Sequence, residues 1–485
     1  AWVWESSFRS SILRESRVID VTIAMDSRKL HSLGATQSNN YLSSTTYPAN
    51  YTNAMNVNFN NGNTNNNNKT NSNYVRCVRA LPPPALSLFL PLSHQMTTIF
   101  TLEKLFKAYK ECQKGKKNTV NALMFELHRE KNLMTLLDDL TSRRYEISRH
   151  ICFIVIVPTP REIFAADFRD RIVHHLLCNE ISGTFEIDFI SHSYANRKGK
   201  GTHKAVEQLQ KNIRQVKNET GGGQYLKLDV QSFFRSIDKG ILFSLVENKI
   251  LSEGSLKSTL WREEVLWLAR KIIFHDPTKN YRYKGNPDKK SLIPKHKSLF
   301  YAEGCGLPIG NLTSQFFANV YLNELDQFVT TTLGIGTYVR YVDDFVVVDD
   351  DRDRLKSFIR PIDAFLKEKL NLRVHPGKIQ LQETRKGIDF LGYFIKPNYT
   401  VVRQKVVRRC KKRLRDISHM ALTGNPCEDM ETVSYALSVI NSYYGHFSHA
   451  RSFNLRRHLY LEHLGKIRGC VEADKSYEAL RVTSV

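Results

Sequence analysis

Two adjacent aspartates break a run of β-forming residues in YVRYVDDFVVVDD (338–350), and no other feature restricts the fold as much. Tyr341 and Val342 precede Asp343 and Asp344; Phe345 to Val348 follow. Burying an unpaired carboxylate pair among such neighbours is expensive. A tight hairpin turn at the pair avoids that cost, because both carboxylates then project from a sheet. A second strand-like segment, YLKLD (225–229), ends in Asp229. On a strand beside the hairpin, Asp229 would complete a cage of hard oxygen ligands, which selects Mg2+ or Mn2+. Asp229 and Asp343 are the expected bridging ligands of two ions, Asp344 is a supporting carboxylate, and the carbonyl of Val230 completes the shell. Two ions about 3.5–4 Å apart suit activation of a hydroxyl and stabilisation of a leaving pyrophosphate. Asp349, Asp350, Asp351 and Asp353 read as a solvated acidic turn.

Charge narrows the partners. The 485 residues carry 71 Lys and Arg against 48 Asp and Glu, a formal +23. That excess excludes an acidic solvating protein and points to a polyanion. Residues 1–95 hold eight basic and four acidic side chains, so +19 belongs to residues 96–485. No apolar stretch approaches the length of a membrane span. Eight cysteines without CxxC or zinc-finger spacing predict free thiols in a reducing cytoplasm.

The chain divides by composition. Residues 27–102 contain no Asp or Glu, and 15 of the 35 residues from Asn39 to Asn73 are Asn. Such a tract buries too little apolar area to offset chain entropy, which predicts a disordered segment over 1–95. An alternating stretch at 73–80 could be a strand within it. From Met96 onward, helical spacing places Leu102, Leu105, Phe106 and Tyr109 on one face of a helix at 101–112. Residues 121–140 and 161–181 read as further helices, and ICFIVIVP (151–158) as a strand ended by proline. The fold class is α+β.

The order of these motifs resembles a reverse transcriptase. YVDD resembles the catalytic box of that superfamily, and LDVQSFF (228–234) carries its other aspartate. SHSYANRKGKGTHKAVEQL (191–209) resembles its fingers motif, and HPGKIQLQETRKGIDFLGYFI (375–395) the two motifs after the box. The resemblance covers roughly 160–460. It implies a right-hand polymerase: fingers over 96–224, a palm with an antiparallel sheet over 225–400, and a helical thumb over 401–485. Where most relatives read QGxxxSP, this chain has Ile309-Gly310-Asn311-Leu312-Thr313-Ser314-Gln315. Ile309 and Gln315 resemble the enzymes of diversity-generating retroelements, which copy a template RNA, misincorporate mainly opposite adenine, and rewrite a variable region of a target gene.

The resemblance also implies roles. Phe234 would be an aromatic gate against the sugar of an incoming dNTP, with Phe233 its competitor. Arg197, Lys198, Ile309, Gly310, Gln315 and Lys378 would meet the nucleotide or nascent pair. Residues 403–415 hold eight Lys and Arg in thirteen. Arg403, Lys405, Arg408, Arg409, Lys411, Lys412 and Arg413 would follow the template–primer backbone, with Val402, Val406 and Leu414 on the opposite side. Expected partners are template RNA, the cDNA/RNA duplex, dNTPs and a small basic accessory protein, in the cytoplasm of a bacterial, archaeal or phage-infected cell. Residues 1–95 then resemble a translated template repeat and spacer, since Asn codons are adenine-rich. Competing readings are a group II intron-like or retron reverse transcriptase, and an inert RNA-binding protein with a polymerase fold. Intact Asp229, Asp343 and Asp344 argue against the last.

Overall fold

The computed structural model describes residues 98–114, 119–157, 159–253, 257–420 and 430–483, with the backbone of three strands at 40–46, 53–58 and 64–68. Those strands, β1 (Asn40–Thr46), β2 (Asn53–Asn58) and β3 (Thr64–Asn68), form an antiparallel sheet in sequence order. They belong to a compact unit spanning Ser10–Ser93. Over these strands the backbone departs from the expected disorder; Tyr41, Thr45, Thr46 and Val57 are residue types that favour extended chain. The strand expected at 73–80 lies outside the described residues.

The second unit begins its described part with three helices, α1 (Leu102–Gln113), α2 (Val120–Leu127) and α3 (Arg129–Thr141). Thr101 caps α1 by accepting from the Lys104 N–H. Its buried face is Leu105, Ala108, Tyr109 and Cys112, whereas Leu102 and Phe106 stay exposed. The stretch 121–140, expected as one helix, breaks at His128, whose φ of −130° is not helical.

Two strands follow, β4 (His150–Val155) and β5 (Arg161–Ala165), and then the long helix α4 (Phe168–Glu186). The helix expected from 161 therefore starts seven residues late. β4 pairs antiparallel with 161–165, and that pairing overrides the local helical pattern. Asp167 caps α4 by accepting from the Arg169 N–H.

The centre of the unit is built from α5 (Thr202–Thr220), β6 (Gln224–Asp229), the short α6 (Phe233–Ser236), α7 (Lys239–Ser252) and α8 (Thr259–Phe274). β7 (Tyr281–Tyr283) joins β4 in parallel, giving a small sheet ordered β5-β4-β7. Helix α9 (Leu312–Gln327), the hairpin β8 (Tyr338–Tyr341) and β9 (Asp344–Asp349), helices α10 (Arg352–Ser357) and α11 (Ile359–Leu370), and β10 (Gln380–Glu383) complete it. The central sheet is antiparallel throughout, in the order β10-β6-β9-β8.

Both faces of this sheet are covered, and the strands show it residue by residue. Phe345 and Val347 join a core with Leu226, Leu228, Tyr338 and the helices α4, α7, α8 and α9. Val346 and Val348 point the other way, into a core with Tyr225, Val339 and the α5 residues Ala205, Leu209 and Ile213. Period-two alternation with apolar side chains on both faces produces the unbroken run FVVV. Helix α5 packs on this face of the central sheet.

A three-stranded sheet, β11 (Ile388–Phe390), β12 (Tyr393–Ile395) and β13 (Thr400–Val402), leads to α12 (Gln404–Met420), α13 (Met430–Phe447) and α14 (Phe453–His463), and to a final strand pair, β14 (Val471–Ala473) and β15 (Leu480–Val482). These helices share a separate core containing Val407, Cys410, Leu414, Ile417, Ile440 and Leu459. Val402 is buried but sits on β13, and Val406 is half-buried. Cys152, Cys178, Cys305 and Cys410 carry free thiols. Cys470 is disulfide-bonded, against the expectation of thiols throughout; spacing cannot show which side chains the fold brings together.

Candidate active site

The three aspartates converge through strand register. Asp229, the last residue of β6, lies directly opposite Asp344, the first of β9. Tyr341 pairs with Asp344, so Val342 and Asp343 form the two-residue hairpin turn. The Asp343 carbonyl accepts from the Val230 N–H at 3.2 Å, which ties the turn to the chain just past Asp229. An extended residue presents its N–H and C=O to the same side, so the Val230 carbonyl faces this turn. On the other side, the Asp229 carbonyl accepts from the His375 N–H at 2.8 Å.

Burial raises two of the carboxyls. Burial, reinforced by the Asp229 charge, pushes Asp343 up to about 7. Burial likewise pushes Asp344 up to about 6, against the pull of Lys227. Two lysines hold the cluster. Lys378 Nζ lies 2.7 Å from Asp229 Oδ1, and Lys227 Nζ lies 3.0 Å from Asp344 Oδ2. Asp344 Oδ1 is buried with no hydrogen-bond partner. That orphaned oxygen and the all-carboxylate donor set suit a hard divalent cation. Among the described residues, however, no three His, Cys, Asp or Glu side chains stand as a ready metal cage. Lysine ammonium groups pair with two of the three carboxylates here.

Backbone strain marks the turn. Val342 has φ +58°, a left-handed conformation that costs a β-branched residue most. Arg340 holds it there. Its guanidinium is buried and donates to the Val342 carbonyl (3.0 Å), to both oxygens of Asp326 on α9 (2.7 and 2.5 Å) and to Ser193 Oγ (3.0 Å). Tyr338 Oη donates to the same Asp326 at 2.8 Å. The backbone N–H of Arg340 donates to His192, and its carbonyl accepts from Tyr194. One side chain therefore fastens the carboxylate turn to α9 and to segment 192–194. The sequence reading passed over Arg340 and Asp326. An arginine three residues before Asp343 in an otherwise apolar strand is the signal that could have found them.

Comparison with known proteins now bears on this arrangement. Residues 159–395 match the family described as reverse transcriptase (RNA-dependent DNA polymerase). That span contains every residue of the carboxylate cluster and its lysines. Residues 159–395 are a reverse transcriptase domain. The chain thus carries the polymerase domain of an RNA-directed DNA polymerase, a class that uses divalent metal ions. Protein YkfC of Escherichia coli (strain K12) is 22% identical over 310 residues, covering 56% of this chain and 74% of that protein. Nuclear intron maturase 1, mitochondrial, of Arabidopsis thaliana is 25% identical over 292 residues, covering 47% of this chain and 40% of that protein. A putative COX1/OXI3 intron 2 protein of Saccharomyces cerevisiae is 19% identical over 291 residues, covering 49% and 30%. The chain spans less than half the length of these last two relatives.

Within the reverse transcriptase domain, the remaining expected residues separate by environment. Phe234 and Phe233 sit on α6, not on a strand, because Ser232 with φ +49° ends the extended run. Phe233 is buried in the core, while Phe234 is only half-buried against it. Ile309 is half-buried, and its carbonyl accepts from the Phe164 N–H of β5 at 3.2 Å. Gly310 has φ +119°, and a Cβ there would meet Ile163 Cγ2 at 3.0 Å. Gln315 is half-buried in the first turn of α9. Lys198 is exposed. Arg197 is not presented as a basic loop residue would be: its guanidinium donates to the carbonyls of Ile190 and Ser193, pairs with Glu186 at 2.7 Å, and lies over the Phe189 ring. Those donors brace residues 189–197.

Past the domain, α12 sorts its charges by face. Lys405, Arg408, Lys412 and Arg415 are exposed and fall on one side of the helix, opposite the buried Val407, Cys410, Leu414 and Ile417. Arg415 was not among the residues picked from sequence. Arg409, Lys411 and Arg413 are half-buried, and Arg413 donates to Tyr435 Oη at 2.5 Å. Arg403 pairs with Asp389 at 2.9 Å.

Proposed function

We propose that this chain is the reverse transcriptase of a diversity-generating retroelement, copying a template-repeat RNA into adenine-mutagenised cDNA destined for a variable region of a target gene. The observation that carries this reading is the Ile309–Gln315 segment. It is seated by a backbone bond to β5 and leads directly into α9, whose Asp326 grips Arg340 beneath the carboxylate turn. A side chain at 309 that makes only apolar contact discriminates a shifted pair from a correct one poorly, whereas a hydrogen-bonding side chain there would penalise displacement.

Asp229 and Asp343, with the Val230 carbonyl, would hold two Mg2+ ions, and Asp344 would support them. When bound, such ions lower the barrier to attack of a 3′-hydroxyl and offset charge on the departing pyrophosphate. Phe234, the half-buried one of the pair, would meet the sugar of the incoming nucleotide and exclude a 2′-hydroxyl, while the buried Phe233 serves the core. Lys378 stands where it can neutralise or protonate the leaving group. Gly310 lets backbone approach the nascent pair. Lys198 contacts template or triphosphate, and the exposed stripe of α12 follows the template–primer backbone. Among the described residues no helix is long and apolar enough to cross a membrane. A small basic accessory protein is the expected partner of the enzyme and its RNA, in a prokaryotic cytoplasm. The 1–95 segment reads as template repeat and spacer.

The intron-maturase relative keeps a second reading in view, an ordinary group II intron-like enzyme. Primer extension on an adenine-rich RNA with cDNA sequencing separates the two. The retroelement enzyme misincorporates mainly opposite adenine, and Ile309→Gln partly restores accuracy there, by about tenfold for 1.4 kcal/mol of regained discrimination. Accurate copying by the unmodified chain would favour the intron-like reading. A near-copy of codons 36–79 in flanking DNA, differing only at adenines, would independently support the first.

A further inference from the structure

A cavity of about 240 Å3 opens immediately beyond Asp229. Gln231, Ser232 and Arg235 line one side of it, Arg373 and His296 the other, and Leu372 is its one apolar side chain. None of the lining residues is acidic. The floor is continuous with the carboxylate site. The Gln231 N–H donates to the Arg373 carbonyl at 2.9 Å, one step along from the His375 bond to Asp229. Residues 229–231 and 373–375 therefore run side by side, and the pocket begins two residues, about 7 Å, from Asp229.

The two guanidinium groups differ in a useful way. Arg235 is fixed, donating to the carbonyls of Ser298 and Tyr301. Arg373 is exposed. Neither forms an ion pair with a carboxylate among the described residues, and no acidic side chain lines the pocket to compensate them. A polar pocket with two uncompensated arginines, an imidazole and a hydroxyl is built for a phosphate-type anion and poorly suited to an apolar ligand. Lys378, on Asp229, continues the same positive line from the carboxylates outward.

We propose that this pocket receives the pyrophosphate released at each nucleotide addition, with Arg373 and Arg235 as its anion-binding side chains. The inference rests on the nucleotidyl-transfer reading of the carboxylate site. There the 3′-oxygen bonds to the α-phosphorus as the α–β phosphoanhydride breaks, its electron pair leaves on the β-phosphate oxygen, and the hydroxyl proton passes to solvent. The product is a polyanion formed beside Asp229, and the cavity that opens two residues further along presents two guanidinium groups without carboxylate partners to receive it. Ser232, Gln231 and His296 supply further hydrogen bonds to its oxygens.

Two measurements test this. In primer extension, inhibition by added inorganic pyrophosphate weakens about 10- to 100-fold in Arg373→Ala, the scale of one lost charge-assisted contact, and shifts far more than the KM for dNTP. Arg373→Lys recovers part of the effect. Because Arg373 is exposed, its loss does not threaten the fold, as loss of Arg235 could. In calorimetry with pyrophosphate alone, binding to the unmodified chain is lost or weakened by the same factor in Arg373→Ala, whether or not the chain polymerises. Unchanged inhibition and unchanged binding in Arg373→Ala overturn the proposal. So does a variant that loses RNA affinity while keeping its response to pyrophosphate, which would make the pocket a nucleic-acid contact. Failure of the unmodified chain to extend any primer would sink the polymerase reading, and the calorimetric arm would still decide the pocket.

Discussion

The carboxylate turn and the basic helix α12 both announce themselves by clustered charge, and the fold treats them in opposite ways. At the turn, three carboxylates are drawn together by strand register and partly buried, and two of them are countered, Asp229 by Lys378 and Asp344 by Lys227. A fully buried arginine fixes the strained backbone that carries Asp343. On α12, seven lysines and arginines are spread over about three turns, and four of them simply face solvent. Buried charge must be individually satisfied, so each member of the carboxylate cluster is irreplaceable. Exposed charge acts through its sum and is screened by salt, so each exposed α12 residue is dispensable alone.

The sharpest test of that contrast is Asp343→Asn. Removing one negative ligand should lower cDNA synthesis by about three orders of magnitude, several kcal/mol in the transition state, with RNA affinity unchanged. Substantial residual synthesis would place the chemistry elsewhere.

Arg340→Gln comes next. It leaves Asp326 buried without its partner, which should cost about 3–5 kcal/mol of stability in chemical denaturation. Adding Val342→Gly, which tolerates a positive φ, should recover some activity in whatever variant folds. A fully stable Arg340→Gln protein would mean that the network is ornamental and the carboxylate turn no more constrained than α12.

Phe234→Ala should relax sugar selection by roughly 10- to 100-fold, the range of one lost steric contact. The readout is rNTP against dNTP incorporation on one template. Relaxation by Phe233→Ala alone would reverse the assignment, although burial of Phe233 predicts that this variant chiefly loses stability.

The smallest effect belongs to α12. Arg408→Ala should weaken RNA binding by under about 1 kcal/mol, equally for unrelated sequences, and reduce the salt slope by about one. Arg413→Ala should do less to binding and more to stability, because its guanidinium holds Tyr435. Equal effects at both positions would erase the distinction between the exposed and inward faces of α12.

Much of this site could be read before any coordinates. The Asp pair, the strand before it and the single Asp229 are local patterns, and register then brings them together with no further information. The charge of α12 and its helical period are equally local. The helix expected at 161 failed because β4 offered 161–165 a partner that no window of sequence contains. Arg197 looked like a free basic loop residue because sequence cannot show that three carbonyls and a glutamate surround it.

By itself, then, the sequence determined which residues carry charge, where strands and helices were favoured, and that a polyanion and hard cations were the fitting partners. Only tertiary structure decided which charges are spent on the fold and which remain for a ligand. Arg340 and Arg197 went to the first use, whereas Arg373 and Arg408 are left exposed. The reason is physical: a guanidinium has the same five donors wherever it sits, and its role is set by the acceptors that distant parts of the chain bring within about 3 Å of it.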